Sequence, residues 1–161
     1  MSGALTALTV VTTLGCALVG GVFFAFSTFV MQGLGRLTPS QGVAAMQAIN
    51  VTAVTFAFML LLFGTAALCA VVAGWALVDR RGDVSPYLLA GAALYLAGNI
   101  GTTGAYNVPR NDALASLDPD DPGAAEPWAR YRREWTAANH VRTVTAAAAA
   151  ASLMIALLAV D

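Results

Sequence analysis

The sequence contains no lysine; all eight of its cationic side chains are arginine. That excludes a lysine Schiff base. Together with the high alanine and glycine content, it suggests a GC-rich bacterial genome. There are only two cysteines, Cys16 and Cys69, set in the middle of separate apolar runs, where a free thiol behaves as a small packing residue. Without a CxxC pair or a His/Cys cluster, a structural zinc or iron–sulfur site is not expected. Charge is scarce: 11% of residues are charged and 58% are hydrophobic, where soluble domains carry about 25% charge. The net charge of −1 gives no reason to expect a nucleic-acid partner.

What charge there is has been swept out of four blocks. No charged side chain occurs in residues 1–30, 37–78, 84–108 or 143–160. A helix rising about 1.5 Å per residue needs roughly 20 apolar residues to cross a hydrocarbon core of about 30 Å. The blocks predict four transmembrane helices, at about 4–31, 51–78, 87–106 and 143–160. A soluble bundle would show polar stripes that these runs lack. The first run is too long for a signal-peptide core, and no basic residue precedes it. The expected fold is therefore all-α: an antiparallel four-helix transmembrane bundle, one domain over residues 1–161, with a short extramembrane helical segment between spans three and four.

Four crossings put both termini and the Asp79–Asp83 turn on one face. The opposite, loop face carries the longer segments 32–50 and 107–142, with Arg36, Arg110, Arg130, Arg132, Arg133 and Arg142. Arginine bias makes that face cytoplasmic in a multi-pass cell-membrane protein. Thr38 and Pro39 have the chemistry to start a helix, which is expected to run through Met46 and Ile49 straight into the second span. Asn107-Val108-Pro109 is expected to end the third, with a short surface helix following over 109–117. Pro127 opens a last helix that continues to about Val160, and Trp128, Tyr131 and Trp135 suit a headgroup-level aromatic belt. Small residues at four-residue spacing, Ala17/Gly21/Ala25, Ala66/Ala70/Gly74 and Ala97/Gly101/Ala105, are candidate helix-packing seams.

Polar side chains gather toward the loop face. Gln47 and Asn50 precede span two. Tyr95, Asn99, Thr102, Thr103 and Tyr106 share one side of span three, and Asn107, Arg110 and Asn111 follow. Glu134, Asn139, His140 and Arg142 stand just before span four becomes fully apolar. Polar groups at membrane depth are costly and face a partner or a cavity. For Asn99 an interhelical hydrogen bond is the favoured reading. Glu134 reads as part of an interfacial ion pair. His140, the sole histidine, has the pKa range of a neutral-pH base, but a lone histidine at a membrane boundary is often just an interfacial residue, and on the residues alone that reading is favoured. His140 and Arg142 are two residues apart, so on a helix they point to nearly opposite sides.

Four stretches together resemble the anthrone oxygenase-like membrane proteins: Gly21-Val22-Phe23-Phe24-Ala25-Phe26-Ser27, Met46-Gln47-Ala48-Ile49-Asn50, Asn107-Val108-Pro109-Arg110-Asn111, and the run from Trp135 through Asn139-His140-Val141-Arg142 to Thr143. Their order and spacing extend the resemblance over nearly the whole chain, with one departure at Gln32, where a proline is expected. The resemblance implies a four-helix membrane bundle and oxidation of an anthrone- or phenol-like lipophilic aromatic by molecular oxygen. The motif positions it marks are Asn50, Asn107, Asn111, Asn139, His140 and Arg142. That chemistry needs a base, donors for a developing oxyanion, and a flat apolar pocket. His140 is the candidate base, with Asn107 and Arg142 as catalytic partners. Asn50, Asn111 and Asn139 are the polar substrate contacts. Trp135, Tyr106 and Phe24 are the stacking surfaces. No cofactor or metal is expected, although a haem or metal on His140 stays open. The expected partners are the bilayer and a lipophilic aromatic molecule, and a homo-oligomer is compatible. The alternative is a non-catalytic membrane protein that binds a lipophile or a partner protein; a transporter is disfavoured by the short chain.

Overall fold

The computed structural model describes residues 1–79 and 82–159, and within them every regular element is helical. We number the helices in chain order: α1 Gly3–Leu34, α2 Pro39–Thr52, α3 Phe56–Asp79, α4 residues 85–115 and α5 Ala125–Leu158. Three of these, α1, α3 and α5, are long and apolar enough to cross a membrane. The chain fits an integral membrane protein on that ground. Arg80, Arg81 and Val160, which figured in the charge count and the fourth span, lie outside the described residues.

Local chemistry accounts for the helix boundaries. Ser2 caps α1, its hydroxyl accepting from the Leu5 amide at 3.3 Å. Thr38 and Gln41 form a reciprocal capping box at the start of α2, with Pro39 in the first turn. The expected continuous helix from Thr38 into the second span is not formed. The chain breaks between Thr52 and Phe56. Val51, Thr52, Val54 and Thr55 are all β-branched, which weakens the helix there. The Thr52 hydroxyl bonds back to the Ala48 and Ile49 carbonyls, while Thr55 starts the next helix by accepting from the Phe58 amide. The expected stop at Asn107-Val108-Pro109 is also corrected: α4 runs through Pro109. Two π-helical stretches, Leu94–Gly101 and Thr103–Asn107, precede that proline, and their wider winding suits a residue that cannot donate to the turn before it. Another π-helical stretch, Phe26–Val30, interrupts α1.

The main core lies where α1, α3, α4 and α5 meet, around Val19, Leu62, Val72, Leu88, Tyr95 and Leu153. Cys16 and Cys69 face each other there as free thiols with Sγ atoms 4.0 Å apart. The small-residue ladders proposed as seams do not form them. Ala17, Gly21, Ala70, Gly74, Ala97, Gly101 and Ala105 are all exposed. Close approach occurs instead at other glycines: a Cβ on Gly98 would come within 2.5 Å of Thr145, and one on Gly91 within 2.8 Å of Leu153. A second core, at the other end of α5, packs Trp128, Tyr131 and Trp135 against Met31, Leu34, Val43, Met46 and Leu114. The three aromatics follow one another as a stacked series buried inside the protein, not as a belt facing headgroups.

Candidate functional site

Between the two cores lies a cavity of about 400 Å³, within the usual range for a small-molecule site. Its walls are mostly apolar: Phe23 and Phe26 from α1, Met46 and Ile49 from α2, Phe58 and Leu62 from α3. Its polar wall is small and consists of Asn50, Thr103, Asn111, the indole of Trp135, and Arg142.

Arg142 dominates that wall. It is only 5% exposed, yet among the described residues no carboxylate pairs with it. Its Nη2 donates to Asn139 Oδ1 at 2.7 Å and its Nη1 to Thr103 Oγ1 at 3.3 Å. Its Nε is buried and has no partner. The guanidinium carbon lies 4.0 Å from the Phe23 ring centroid and 5.1 Å from that of Trp135. Ring faces stabilise a cation by about 0.5–2 kcal/mol, well short of the several kcal/mol that removing an ion from water costs. A guanidinium carries five N–H donors, so only part of this one's capacity is met from within the protein.

The neighbouring asparagines hold this arrangement in place. Asn139 donates through Nδ2 to the Phe23 carbonyl at 2.7 Å and to Ser27 Oγ at 2.8 Å. A carbonyl only accepts and a guanidinium only donates, so the orientation of the Asn139 amide is fixed from both ends. Asn111 Oδ1 accepts from Tyr131 Oη at 3.0 Å and from Trp135 Nε1 at 2.8 Å. An indole N–H can only donate, which assigns that atom as oxygen and leaves Nδ2 as the donor end of this cavity-lining residue. Asn107 is buried behind the wall, donating to the Trp135 carbonyl at 3.2 Å, with its own Oδ1 unpartnered. Asn99 donates across helices to the Arg142 carbonyl at 3.4 Å.

The chain's match to known families fits this geometry. The family model for anthrone oxygenase matches residues 53–152. The chain belongs to the anthrone oxygenase family. The matched region carries Thr103, Asn107, Asn111, Trp135, Asn139 and Arg142, and leaves Asn50 and the α1 aromatics outside it. Neither the curated proteins nor the solved structures gave a match.

In this anthrone oxygenase family member the expected site residues divide into three groups. Asn50, Asn111, Trp135 and Arg142 line the cavity. Asn107 and Asn139 stand behind it and position Trp135 and Arg142. His140, Tyr106 and Phe24 are elsewhere. His140 is exposed and lines a shallow groove on the far side of α5 with Ser27, Gln32, Arg132 and Arg133. The cause is helical phase: residue 140 lies out of step with the inward series 135, 139, 142. Phe24 is 56% exposed, one residue out of phase with buried Phe23, and Tyr106 is 54% exposed with its ring against Arg110. Arg110 in turn pairs with Glu134 at 3.0 Å, the interfacial ion pair expected for that carboxylate. Phe23, Phe26, Met46 and Thr103 are cavity residues that the sequence did not single out as such. The inward phase of α1, through Thr9, Cys16, Val19 and Phe23, carried the signal for the first of them.

Proposed function

We propose that this protein is a membrane-embedded oxygenase that converts an anthrone-like or related phenolic substrate with molecular oxygen, using Arg142 to stabilise the substrate's conjugate base. In this proposal α4 also crosses the bilayer, giving four crossings within one domain. The observation that carries it is the buried guanidinium, with no acidic partner among the described residues and its Nε unpartnered, on the wall of an apolar cavity. An ionisable group at membrane depth marks a functional site by default, and one without its counter-ion calls for an anionic ligand.

The chemistry needs little else from the protein. An anthrone gives a C–H proton to water or hydroxide, which later returns one to the peroxide, and leaves a conjugate base whose charge rests largely on oxygen. An opposite charge within about 4–6 Å lowers such a pKa by roughly 1–3 units. The conjugate base gives up an electron pair to form a carbon–oxygen bond with O₂, and the resulting peroxide takes back one proton. Loss of water then leaves the second carbonyl, so substrate plus O₂ yields quinone plus water. Arg142 and the Asn111 amide hold the oxyanion, and Phe23, Phe26 and Trp135 face the rings. Asn50 supplies a further polar contact. His140 has no part in this scheme, because it does not line the cavity. No cofactor enters it.

The test uses the purified chain in phosphatidylcholine vesicles with anthrone, following quinone absorbance and oxygen uptake. Arg142→Met is expected to lower turnover about 10- to 1,000-fold near neutral pH, the rate counterpart of a 1–3 unit shift. The loss should shrink as pH rises, because the substrate then ionises unaided. A folded Arg142→Met variant with unchanged turnover and pH profile would overturn the proposal.

A further inference from the structure

The cavity wall has an outer edge, and its composition is uniform. Five of the lining residues are exposed: Val22, Ala53, Val54, Phe63 and Val108. All five are apolar. Val54 itself is 70% exposed, and they sit among other bare apolar side chains, with Val51 76%, Phe56 83% and Leu60 59% exposed. Surface of that kind is stable against hydrocarbon and not against water. Of the polar wall, Arg142 and Trp135 are buried and Asn50, Thr103 and Asn111 half-buried, and Trp135 and Met46 join the cavity to the packed Trp128–Tyr131–Leu114 cluster beside it. A groove that does open among charged residues, flanked by Arg110, Glu126, Arg130 and Glu134, lies on the other side of Leu114 and Tyr131 and shares no lining residue with the cavity.

We infer that the cavity opens sideways into the bilayer, through a mouth framed by Val22, by the Ala53–Val54 elbow between α2 and α3, and by Phe63 and Val108, and that its ligand arrives from the lipid phase. The elbow makes this possible. A helix continuous from α2 into α3 would carry backbone and side chains across the gap, whereas the break between Thr52 and Phe56 leaves Ala53 and Val54 at the rim. The inference assigns a substrate class to the proposed site and to that extent rests on it. The ligand must dissolve in hydrocarbon as a neutral molecule and acquire its charge beside Arg142. A permanently charged aromatic, which would pay heavily to cross the apolar rim, is disfavoured. Val54 and Ala53 then govern access without touching the reacting atoms.

The experiment reads the mouth without reference to catalysis. The full chain is reconstituted in vesicles doped with a phosphatidylcholine that carries a diazirine midway along one acyl chain, irradiated, and mapped by mass spectrometry. An acyl chain is neutral and cannot leave the bilayer. It should nevertheless label the deep cavity residues Met46 and Trp135. Val54→Trp and, as a second variant, Ala53→Phe should each reduce that labelling at least fivefold while leaving labelling of exposed Leu60 unchanged, which also reports an intact fold. Arg142→Met should change none of it, so the portal and the oxyanion role fail or stand separately. Absence of label at Met46 and Trp135 in the unaltered chain would overturn the inference. So would labelling there that neither mouth variant reduces.

Discussion

Asn139 Oδ1 accepts a 2.7 Å hydrogen bond from Arg142 Nη2 while the same amide's Nδ2 is tied to the Phe23 carbonyl at 2.7 Å. Two residues three apart on α5 thereby fix a buried cation against α1. The bond aims the guanidinium between Phe23 and Trp135, and it does so without neutralising it. A carboxylate at position 139 would satisfy Arg142 electrostatically and leave nothing for a ligand; an amide satisfies one donor and preserves the charge.

Asn139→Ala should therefore separate position from charge. One Arg142 donor loses its partner, while the Phe23 carbonyl keeps the Phe26 amide and the Ser27 hydroxyl keeps Thr143, a cost of about 1–3 kcal/mol for the buried group left unpaired. Thermal unfolding in detergent reports that loss. Turnover on anthrone should fall about tenfold, with a shift of the pH profile in the same direction as Arg142→Met but smaller. Destabilisation with an unmoved pH profile would reduce Asn139 to a packing residue.

Asn111 offers a sharper discrimination. Asn111→Asp retains both accepted bonds, from Tyr131 and Trp135. It replaces the amide donor of this cavity-lining residue with a second oxygen. The fold should survive, while an oxyanion in the cavity meets a like charge that also pairs with Arg142. Turnover should drop at least 100-fold with unfolding temperature within a few degrees of the parent. Asn111→Leu should do the reverse in part, leaving the indole N–H unpaired and the Tyr131 hydroxyl with only Asn50, and destabilising the protein by about 1–3 kcal/mol. Equal activity in the Asp variant and the parent would remove Asn111 from the site.

How much of this was legible in the sequence depends on the scale of the question. Charge-free runs marked three helices long and apolar enough to cross a membrane, because the cost of a charge in hydrocarbon acts on whole segments and needs no knowledge of tertiary contacts. The break at Ala53–Thr55 was harder, since hydropathy runs straight through it and only the β-branched cluster and two threonine hydroxyls mark it. Pro109 misled because the rule against helix before proline ignores a π-helical stretch that absorbs the misfit. The small-residue ladders misled for a different reason: in a chain this rich in alanine, spacing alone does not say which face is buried, and Gly91, Gly98 and Gly20 carry the close contacts instead. At the site, residue types were legible and directions were not. The spacing of His140 and Arg142 showed that the two point to nearly opposite sides of α5, but not which of them faces inward, and His140 was named as the base. Phe23 and Phe24 differ by 100° of helix rotation, and composition cannot choose between them.

The proposed crossing by α4 has a direct topological consequence. If α1, α3 and α4 each cross, three crossings separate Ser2 from Pro119, and the two lie on opposite sides of the membrane. If α4 instead lies along the surface, they lie on the same side. The native thiols Cys16 and Cys69 are buried, so background labelling is low. Ser2→Cys and Pro119→Cys, probed with a membrane-impermeant maleimide in oriented vesicles, should label from opposite sides. Labelling of both from one side would remove the four-crossing arrangement and leave α4 as an interfacial helix.

His140 supplies the last and most economical test of where the chemistry occurs. A general base in contact with substrate contributes about 10²–10⁴ to the rate, so its removal from a working site is unmistakable. The imidazole here stands in an outward groove with Ser27, Gln32, Arg132 and Arg133, on the opposite side of α5 from Arg142. No cavity residue touches it by hydrogen bond, and it caps nothing in the core. His140→Ala should thus keep turnover within about threefold of the parent, keep its unfolding temperature, and leave the pH–rate profile unchanged. Combined with Arg142→Met it should add nothing to that variant's loss. If instead a folded His140→Ala loses two or more orders of magnitude and the acid limb of its pH profile disappears, the substrate must sit in the groove beside Ser27 and Arg133. Arg142 would then be a structural cation held by Asn139 and two rings, and the cavity would need another occupant.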